Sequence, residues 1–255
     1  MNRHLSLLFI IGILSVSPLS AEEPETRFLN PGELIFSNDF DTPSTLEKPV
    51  WYLRKSDWIV ETGALRGTNR DGNGPFIRLQ SKENGGPLPE DYIMTFSFKV
   101  EENPDEEKSN KHHDTLSSGH RFSFGHYAAK FQWRADCGMD LNIGHGDVLE
   151  DSCFHIEKGQ WYHVTAEIRG DEVLVWFKDG PAYYLQHDFF RSKPSGWEFF
   201  THISEIGYLD NLKVWSLAEG ELPGWHQTRF SILSLPNQSF LSADHPEFQI
   251  TKQDK

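Results

Sequence analysis

Residues 159–180, GQWYHVTAEIRGDEVLVWFKDG, and residues 205–217, EIGYLDNLKVWSL, decide the fold class of this chain. Apolar and polar residues alternate along both stretches, as is typical of strands that bury one face. The first stretch turns at Gly170-Asp171 and ends at Asp179-Gly180. Because Asp-Gly between alternating apolar residues is a strong hairpin signal, these stretches predict antiparallel β structure.

The same alternation recurs earlier in the chain, where one strand face carries Tyr92, Met94, Phe96, Phe98 and Val100. Further strands are predicted at residues 33–40, 51–53, 57–61, 64–67, 76–79, 120–127, 129–133 and 139–143, separated by segments rich in Gly, Pro, Asn and charge. The predicted fold class is therefore all-β, an antiparallel sandwich of two sheets whose apolar faces meet through Phe96, Phe98, Phe122 and Val175.

Composition sets the class of protein and excludes some partners. The chain has 255 residues, of which 37% are apolar, 13% aromatic and 24% charged, as expected for a globular protein with one large β domain. The formal net charge is −14. Nucleic acids and anionic membranes favour clustered Lys and Arg, so we expect neither as a partner.

The first 21 residues are predicted to be a signal peptide, with Arg3 before the apolar run Leu5 to Val16. That run is shorter than the roughly 20 residues of a membrane-spanning helix, so we expect no membrane span after its removal. The expected location is secreted or periplasmic. Residues 22–217 are predicted to form the β domain and residues 218–255 a linker and tail. Trp225, Arg229 and Leu233 there could form a short helix.

Export changes the interpretation of the two cysteines, Cys137 and Cys153, because an oxidising compartment permits a disulfide. Such a bond would close a loop of about 16 residues and contribute about 3 kcal/mol. Two separate buried thiols are the alternative.

Several motifs together resemble concanavalin-like jelly rolls. They are ELIFSNDFD (33–41), DWIVETGALRG (57–67), YIMTFSFKVE (92–101), the 159–180 stretch and LDNLKVW (209–215). The chain is most similar to secreted bacterial proteins of the laminin-G-like and 3-keto-disaccharide hydrolase group. This resemblance implies a jelly roll from about Glu33 to Leu217 and a role in sugar binding or sugar chemistry. Where the hydrolases usually carry a Ser-Gly-hydrophobic-Arg strand, this chain has HRFSFGHYAAKFQW (120–133), so no catalytic residue is transferred.

Hydrolytic chemistry would require two carboxylates in one site, and the Glu-x-Asp-x-Glu pattern that supplies them on one strand is missing from the sequence. We interpret the acidic group Asp147, Glu150 and Asp151 as a solvated loop. A second group contains His112, His113, Asp114, His120, His126, His145, His155 and His163. These histidines could bind a metal or exchange protons, or they could be ordinary surface histidines.

A structural calcium ion is a further hypothesis. Asp39 or Asp41 near the first strand could approach Asp210 near the last, and calcium prefers carboxylate and carbonyl oxygens. The alternative is that Asp210-Asn211 is a simple turn. We expect no other cofactor.

Sugar recognition needs an aromatic ring and a few polar partners. The candidates are Trp133, Trp161, Trp176, Tyr183 and Tyr184, with His126 as a further contact, although each aromatic ring could instead pack in the core. The predicted function is binding of extracellular carbohydrate. A glycoside hydrolase of the 3-keto-disaccharide type and a laminin-G-like protein-binding module are the alternatives, and the oligomeric state is left open.

Overall fold

The computed structural model describes residues 23–42, 46–54, 58–68, 76–104, 120–125, 129–134, 138–143, 146–151, 154–186, 190, 196–201 and 205–228. The predicted signal peptide, Cys137, Cys153, His126 and residues 229–255 lie outside these ranges, as does the predicted disulfide. Within them, no helix is both long and apolar enough to span a bilayer.

Fifteen strands make up this part of the chain. They are β1 (Leu29–Asn38), β2 (Trp51–Arg54), β3 (Trp58–Glu61), β4 (Ala64–Gly67), β5 (Phe76–Gln80), β6 (Tyr92–Glu102), β7 (His120–Phe124), β8 (Ala129–Arg134), β9 (Gly138–Ile143), β10 (Gly146–Asp151), β11 (Tyr162–Arg169), β12 (Glu172–Phe177), β13 (Ala182–Gln186), β14 (Gly196–Phe200) and β15 (Glu205–Glu221). A 3₁₀ turn, Lys82–Asn84, precedes β6. Residues 225–228 form one helical turn.

The strands form two antiparallel sheets, which confirms the predicted jelly-roll sandwich. The eight-stranded sheet has the order β13-β12-β11-β6-β15-β4-β3, with β1 paired to β15. The seven-stranded sheet has the order β10-β9-β8-β7-β14-β5-β2.

Three strands differ from the sequence prediction. β13 and β14 were not predicted, although they add a strand to each sheet. The prediction of a solvated loop at Asp147, Glu150 and Asp151 was wrong, because these residues belong to β10, which pairs with β9. An edge strand has only one neighbour, so its exposed side can carry charge without the alternation that marks a buried strand.

The two sheets meet in an aromatic core. The Phe96 ring of β6 lies 5.3 Å from the Phe122 ring of β7 in an edge-to-face arrangement, and Phe98 lies 5.6 Å from Trp133. Phe96, Phe122 and Val175 are 0–1% exposed. The predicted meeting of the sheets through these residues is therefore confirmed.

Described residues on both sides of the predicted β domain pack against the sandwich. β15 continues to Glu221, four residues past the expected domain end at Leu217. The buried Trp225 ring then stacks on Phe28 at 4.4 Å between centroids. The described beginning of the expected linker is thus part of the sandwich, and it covers the outer surface of the eight-stranded sheet.

Candidate ligand-binding face

The outer surface of the seven-stranded sheet is lined with polar side chains. On β7, Phe122 and Phe124 are buried in the core. Because neighbouring residues of a strand point to opposite faces, Arg121 and Ser123 lie on the outer surface. The same alternation between core and outer residues applies to β2, β5, β8 and β14. The polar face defined in this way consists of Tyr52, Arg78, Arg121, Ser123, Lys130, Gln132, Glu198 and Phe200.

Strand register aligns most of these residues into two rows. The Ser123 row runs across five strands as Tyr52, Arg78, Glu198, Ser123 and Lys130, each directly opposite the next. Directly opposite side chains have Cβ atoms about 4.5–5.5 Å apart, so each member of the row lies next to its neighbours. The second row contains Phe200, Arg121 and Gln132.

β14 supplies Glu198 and Phe200, and its start depends on a glycine. Gly196 has a φ of +118°. A Cβ atom at this position would lie 2.2 Å from the Leu79 carbonyl oxygen of β5. Glycine therefore permits the close pairing of β14 with β5 that sets the position of Glu198 opposite Arg78.

An ion pair occupies the middle of the Ser123 row. Arg78 Nη2 lies 3.4 Å from Glu198 Oε1 and 3.5 Å from Oε2. The Glu198 side chain is 2% exposed and that of Arg78 is 16% exposed. Such a desolvated pair is weak evidence for stability, because desolvation offsets the attraction between the charges.

Aromatic rings and cations flank the ion pair. The Arg121 guanidinium carbon lies 4.5 Å from the centre of the Phe200 ring. Across the sheet, Lys48 Nζ lies 5.4 Å from the centre of the Tyr52 ring. Tyr52, Phe200, Arg121 and Lys130 are half-buried, so the outermost layer of the face consists of rings and cations.

Ser123 has an unusual environment. It is 0% exposed, and its hydroxyl has no hydrogen-bond partner among the residues that the structure describes. It lies between Glu198 and Lys130 in the row. A buried hydroxyl without a partner costs about 1–3 kcal/mol, and native proteins contain few of them. The polar face therefore contains a desolvated group able to donate to and accept from a ligand.

Backbone register extends both rows onto β9 and β10. Lys130 is opposite Asn142 and Gln132 is opposite Asp140. On β10 a register shift follows Asp147, so that Asp147 pairs with Asn142 and Glu150 with Asp140. The backbone partners of Asp147 and Glu150 therefore lie two residues apart on β9.

Four of the sequence-predicted sugar-binding aromatics are buried. Trp133 and Tyr183 lie in the core between the sheets, where Tyr183 contacts Phe131 and Trp133 contacts Phe98. Trp176 and Tyr184 lie on the outer surface of the eight-stranded sheet, but chain-end residues cover them. All four are 0–3% exposed, so none presents a ring face to solvent.

Glu167 explains how Trp176 is covered. Its carboxylate accepts hydrogen bonds from the backbone N–H groups of Arg27, Phe28 and Leu29 at 2.7–2.8 Å and from Trp176 Nε1 at 3.1 Å. Burial raises the pKa of Glu167, and the four hydrogen bonds act in the opposite direction. This carboxylate holds residues 27–29 against the eight-stranded sheet, which is a structural role.

Trp161 is the exception among the predicted residues. All eight tryptophans lie in the described part of the chain; seven are buried, and Trp161 is 37% exposed. Its ring lies 6.4 Å from Tyr208, and Lys99 Nζ lies 4.2 Å from the Tyr208 ring centre. Glu101 accepts hydrogen bonds from both Lys99 and Tyr208, and the Lys99 bond lowers the pKa of Glu101.

The predicted calcium ligands Asp39, Asp41 and Asp210 influence one another electrostatically. Burial raises the pKa of Asp210, and the negative charges of Asp41 and Asp39 raise it further. Asp210 Oδ1 accepts the Asn211 N–H at 2.6 Å, and Asp39 Oδ1 accepts the Asp41 N–H at 3.2 Å. Among the described residues, no three His, Cys, Asp or Glu side chains are arranged to hold a metal ion. The calcium site therefore stays a prediction.

The described histidines do not form a cluster. His163 Nδ1 lies 2.7 Å from the Ser97 hydroxyl on the eight-stranded sheet, and His155 is exposed. For His120 the structure gives only the backbone position, at the start of β7. The other histidines of the predicted group, together with Asp114, lie outside the described ranges.

A small cleft with a cavity volume of about 30 Å³ is lined by Tyr92, Phe124, Phe190 and Gly196. Burial raises the pKa of Tyr92 far above its ordinary value. Apolar residues form most of this wall, so the cleft offers fewer hydrogen-bonding groups than the polar face.

The sequence analysis named none of the polar-face residues. Alternation along the strands could have placed Ser123 and Gln132 on the outer surface, since both alternate with core aromatics on strands that were predicted correctly. Their neighbours Arg78 and Glu198 come from strands 45 and 75 residues away, and β14 was not predicted. Alternation alone could not join them into one row.

No protein-family model and no curated protein matches this chain. Solved structures do match. They include a sialidase (TM-score 0.49, 11% identity, 73% of this chain and 19% of that one) and carbohydrate-binding module CBM66 from Bacillus subtilis (0.45, 12%, 66% and 96%). A mannose- and calcium-bound VIP36 lumenal domain also matches (0.47, 9%, 69% and 87%). This chain spans about a fifth of the sialidase. Similarities this distant concern the fold, and we take no residue role from them.

Proposed function

We propose that this protein is an exported domain that binds carbohydrate on the polar face. The observation that carries this proposal is the buried, unpartnered Ser123 hydroxyl in a row of hydrogen-bonding side chains on the outer surface of a sheet. A buried hydroxyl without a partner reduces stability, and a ligand that hydrogen-bonds to it would remove this cost.

The chemistry of the face suits a sugar. Sugar hydroxyls donate and accept hydrogen bonds, so their site needs both kinds of partner. Glu198 accepts, Arg78 and Lys130 donate, and Gln132 and Ser123 do both. The rings of Tyr52 and Phe200 supply apolar surface for the C–H face of a pyranose. A sugar hydroxyl inserted between the long side chains would reach Ser123 beneath them.

Trp161 supports a second, separate sugar contact on the opposite sheet. It is exposed beside Tyr208, and the carboxylate of Glu101 lies next to both Tyr208 and Lys99. A flat ring beside a carboxylate and an ammonium group is a minimal sugar-stacking arrangement. We assign it the smaller share of binding because its polar groups already bond one another.

Affinity electrophoresis tests the proposal. Residues 22–255 are run through native gels containing one of a panel of neutral and acidic polysaccharides, and retardation gives the dissociation constant. Gln132→Leu should weaken retention at least fivefold, because it removes a donor and an acceptor while keeping similar volume. The matched control is Gln160→Leu at an exposed position outside the face. Equal retention of both variants, or no retention of the parent protein in any gel, would overturn the proposal.

Two other functions are outcomes of the same experiment. Release of sugar from a bound polysaccharide would indicate the hydrolase alternative, for which Glu198 and the β9–β10 acidic positions would be the residues to substitute first. Binding to envelope proteins without any polysaccharide binding would indicate the laminin-G-like alternative. Export is tested by sequencing the N-terminus of protein recovered outside the cytoplasm. We expect cleavage near Ala21, so that the mature protein begins at or near Glu22.

A further inference from the structure

The two candidate sugar contacts lie on opposite surfaces of the sandwich. Trp161 directly precedes β11, whose first residue Tyr162 packs against the core residue Phe98. Lys99 follows Phe98 on β6, and its Nζ lies 5.4 Å from the centre of the Trp161 ring. Because neighbouring residues of a strand point to opposite faces, Trp161 and Lys99 lie on the outer surface of the eight-stranded sheet. The polar face is the outer surface of the other sheet.

The two surfaces lie back to back across one part of the core. The Phe98 ring lies 5.8 Å from the ring of Phe199 on β14. Lys99, next to Phe98, points outward through one sheet, and Phe200, next to Phe199, points outward through the other. Sheets that stack face to face are about 10 Å apart. One short segment of ligand therefore cannot contact both surfaces without passing around an edge of the sandwich.

Five described side chains form the contact on the eight-stranded sheet, which we call the Trp161 platform: Trp161, Tyr208, Lys99, Glu101 and His163. The Lys99 ammonium group lies between two rings, 4.2 Å from the centre of Tyr208 and 5.4 Å from that of Trp161. Glu101 accepts hydrogen bonds from both Lys99 and Tyr208. Lys99 and Glu101 thus neutralise each other, so the platform offers an aromatic surface rather than a charge.

His163 supplies a polar partner beside the exposed ring. It lies two residues after Trp161, so both side chains point outward from the same face, about 7 Å apart. Both residues are exposed. His163 Nδ1 lies 2.7 Å from the Ser97 hydroxyl, a contact that leaves Nε2 for a second partner. Trp161 and His163 therefore present a stacking surface and a hydrogen-bonding nitrogen side by side.

The size of the platform distinguishes between kinds of partner. Its exposed apolar surface is one aromatic ring, whereas a stable protein interface buries about 800 Å² on each partner. Ile59 is also exposed on this sheet, but it lies on β3, four strands away from β11, or about 19 Å at the usual strand spacing. An isolated ring with one imidazole beside it suits a single sugar residue of a glycan chain better than a protein surface.

We propose that this protein bridges two glycan chains, one bound on the polar face and one stacked on Trp161 with a hydrogen bond to His163. This inference rests on the proposed function and adds to it a non-catalytic activity, the cross-linking of polysaccharides. A polysaccharide repeats its units, so several protein molecules bind one chain together and weak platform contacts add up. A single molecule carries both sites, so bridging requires no oligomer.

A bead-capture assay measures bridging. Biotinylated polysaccharide is held on streptavidin beads, the protein is added, unbound protein is washed away, and fluorescein-labelled polysaccharide is then applied. Dextran, laminarin, mannan and polygalacturonate are used in every combination of bead-bound and labelled chain. The protein retained on the beads is quantified separately. For at least one combination we expect captured fluorescence at least tenfold above that of beads without protein.

Variants assign bridging to the two surfaces. Trp161→Ala and His163→Ala should each reduce captured fluorescence at least fivefold, while retained protein falls no more than threefold. Trp161→Phe, which keeps a ring, should preserve part of the capture. Ile59→Ala removes a side chain that is 50% exposed elsewhere on the same sheet, and this matched control should change neither quantity. Gln132→Leu on the polar face should lower both. Thermal unfolding shows that each variant is folded.

The two proposals fail in different ways. Retained protein that captures no label in any combination would overturn bridging and leave carbohydrate binding intact. Equal capture by Trp161→Ala and the parent protein would also overturn it. So would a parent dimer in sedimentation velocity that Trp161→Ala converts to a monomer, because the platform would then bind a second copy of this chain. Absence of protein from all four kinds of bead would contradict the proposed function itself.

Discussion

Replacing Ser123 with alanine should make this protein more stable and a weaker binder. The Ser123 side chain is fully buried, and within the described part of the chain its hydroxyl has no hydrogen-bond partner. Leaving such a group desolvated costs about 1–3 kcal/mol, whereas alanine has nothing to desolvate and keeps the same Cβ. We expect Ser123→Ala to raise the free energy of unfolding by about 1 kcal/mol, which is a rise of roughly 2–4 °C in Tm for a protein of this size.

The same substitution should reduce affinity for the bound polysaccharide about fivefold to tenfold, because one neutral hydrogen bond contributes about 1 kcal/mol. Opposite changes in stability and binding are characteristic of a group kept for function. Urea unfolding followed by fluorescence, and titration calorimetry, measure the two quantities.

Ser97 provides the matched control. It is a buried serine on the outer surface of the other sheet, and its hydroxyl lies 2.7 Å from His163 Nδ1. Because this hydroxyl has a partner, Ser97→Ala should lower the free energy of unfolding by about 1 kcal/mol and leave binding unchanged. If Ser123→Ala destabilised the protein as Ser97→Ala does, the argument for a ligand-satisfied hydroxyl would be refuted.

Three further predictions concern the framework and the second surface. Burial raises the pKa of Glu167, so its ionised form lowers stability at neutral pH, and this loss is recovered as pH falls through the raised pKa toward the ordinary value. Glu167→Gln should be less stable than the parent protein in urea unfolding, and the difference in free energy of unfolding should be larger at pH 5 than at pH 7. An equal difference at both pH values would contradict this. Gly196→Ala should lower the free energy of unfolding by about 3 kcal/mol in the same assay, because alanine is strained at this positive φ and its Cβ would overlap the Leu79 carbonyl. A decrease of less than about 1 kcal/mol would refute this steric explanation. Trp161→Ala should change the free energy of unfolding by less than about 1 kcal/mol and weaken polysaccharide binding only about twofold to threefold. A complete loss of binding in calorimetry would show that the main site lies on the eight-stranded sheet.

The fold was predictable because its strongest signals are local. Alternation along Tyr92–Val100 and the Gly170-Asp171 turn each act within one strand or one hairpin, and both sheets contain the strands they predict. β14 was missed because GWEFF combines a glycine, a carboxylate and three aromatics, two of them adjacent, with no clear period of two.

The candidate site was less predictable, for two physical reasons. A large aromatic residue can bury its ring on either face of a sheet, and sequence does not show that residues 27–29 and Trp225 cover Trp176 and Tyr184. The second reason is that the Ser123 row exists only after register brings β5, β7, β8 and β14 side by side. Neither the covering of a face nor the alignment of distant strands follows from local alternation.

Amide chemical-shift mapping with a bound oligosaccharide tests the location of the binding site most directly. We predict that saturating ligand changes the amide chemical shifts of Arg78, Arg121, Ser123, Lys130 and Glu198. The amide chemical shifts of residues around Trp161 should change far less. Shifts confined to Trp161, Lys99 and Tyr208, or none anywhere on the seven-stranded sheet, would contradict it.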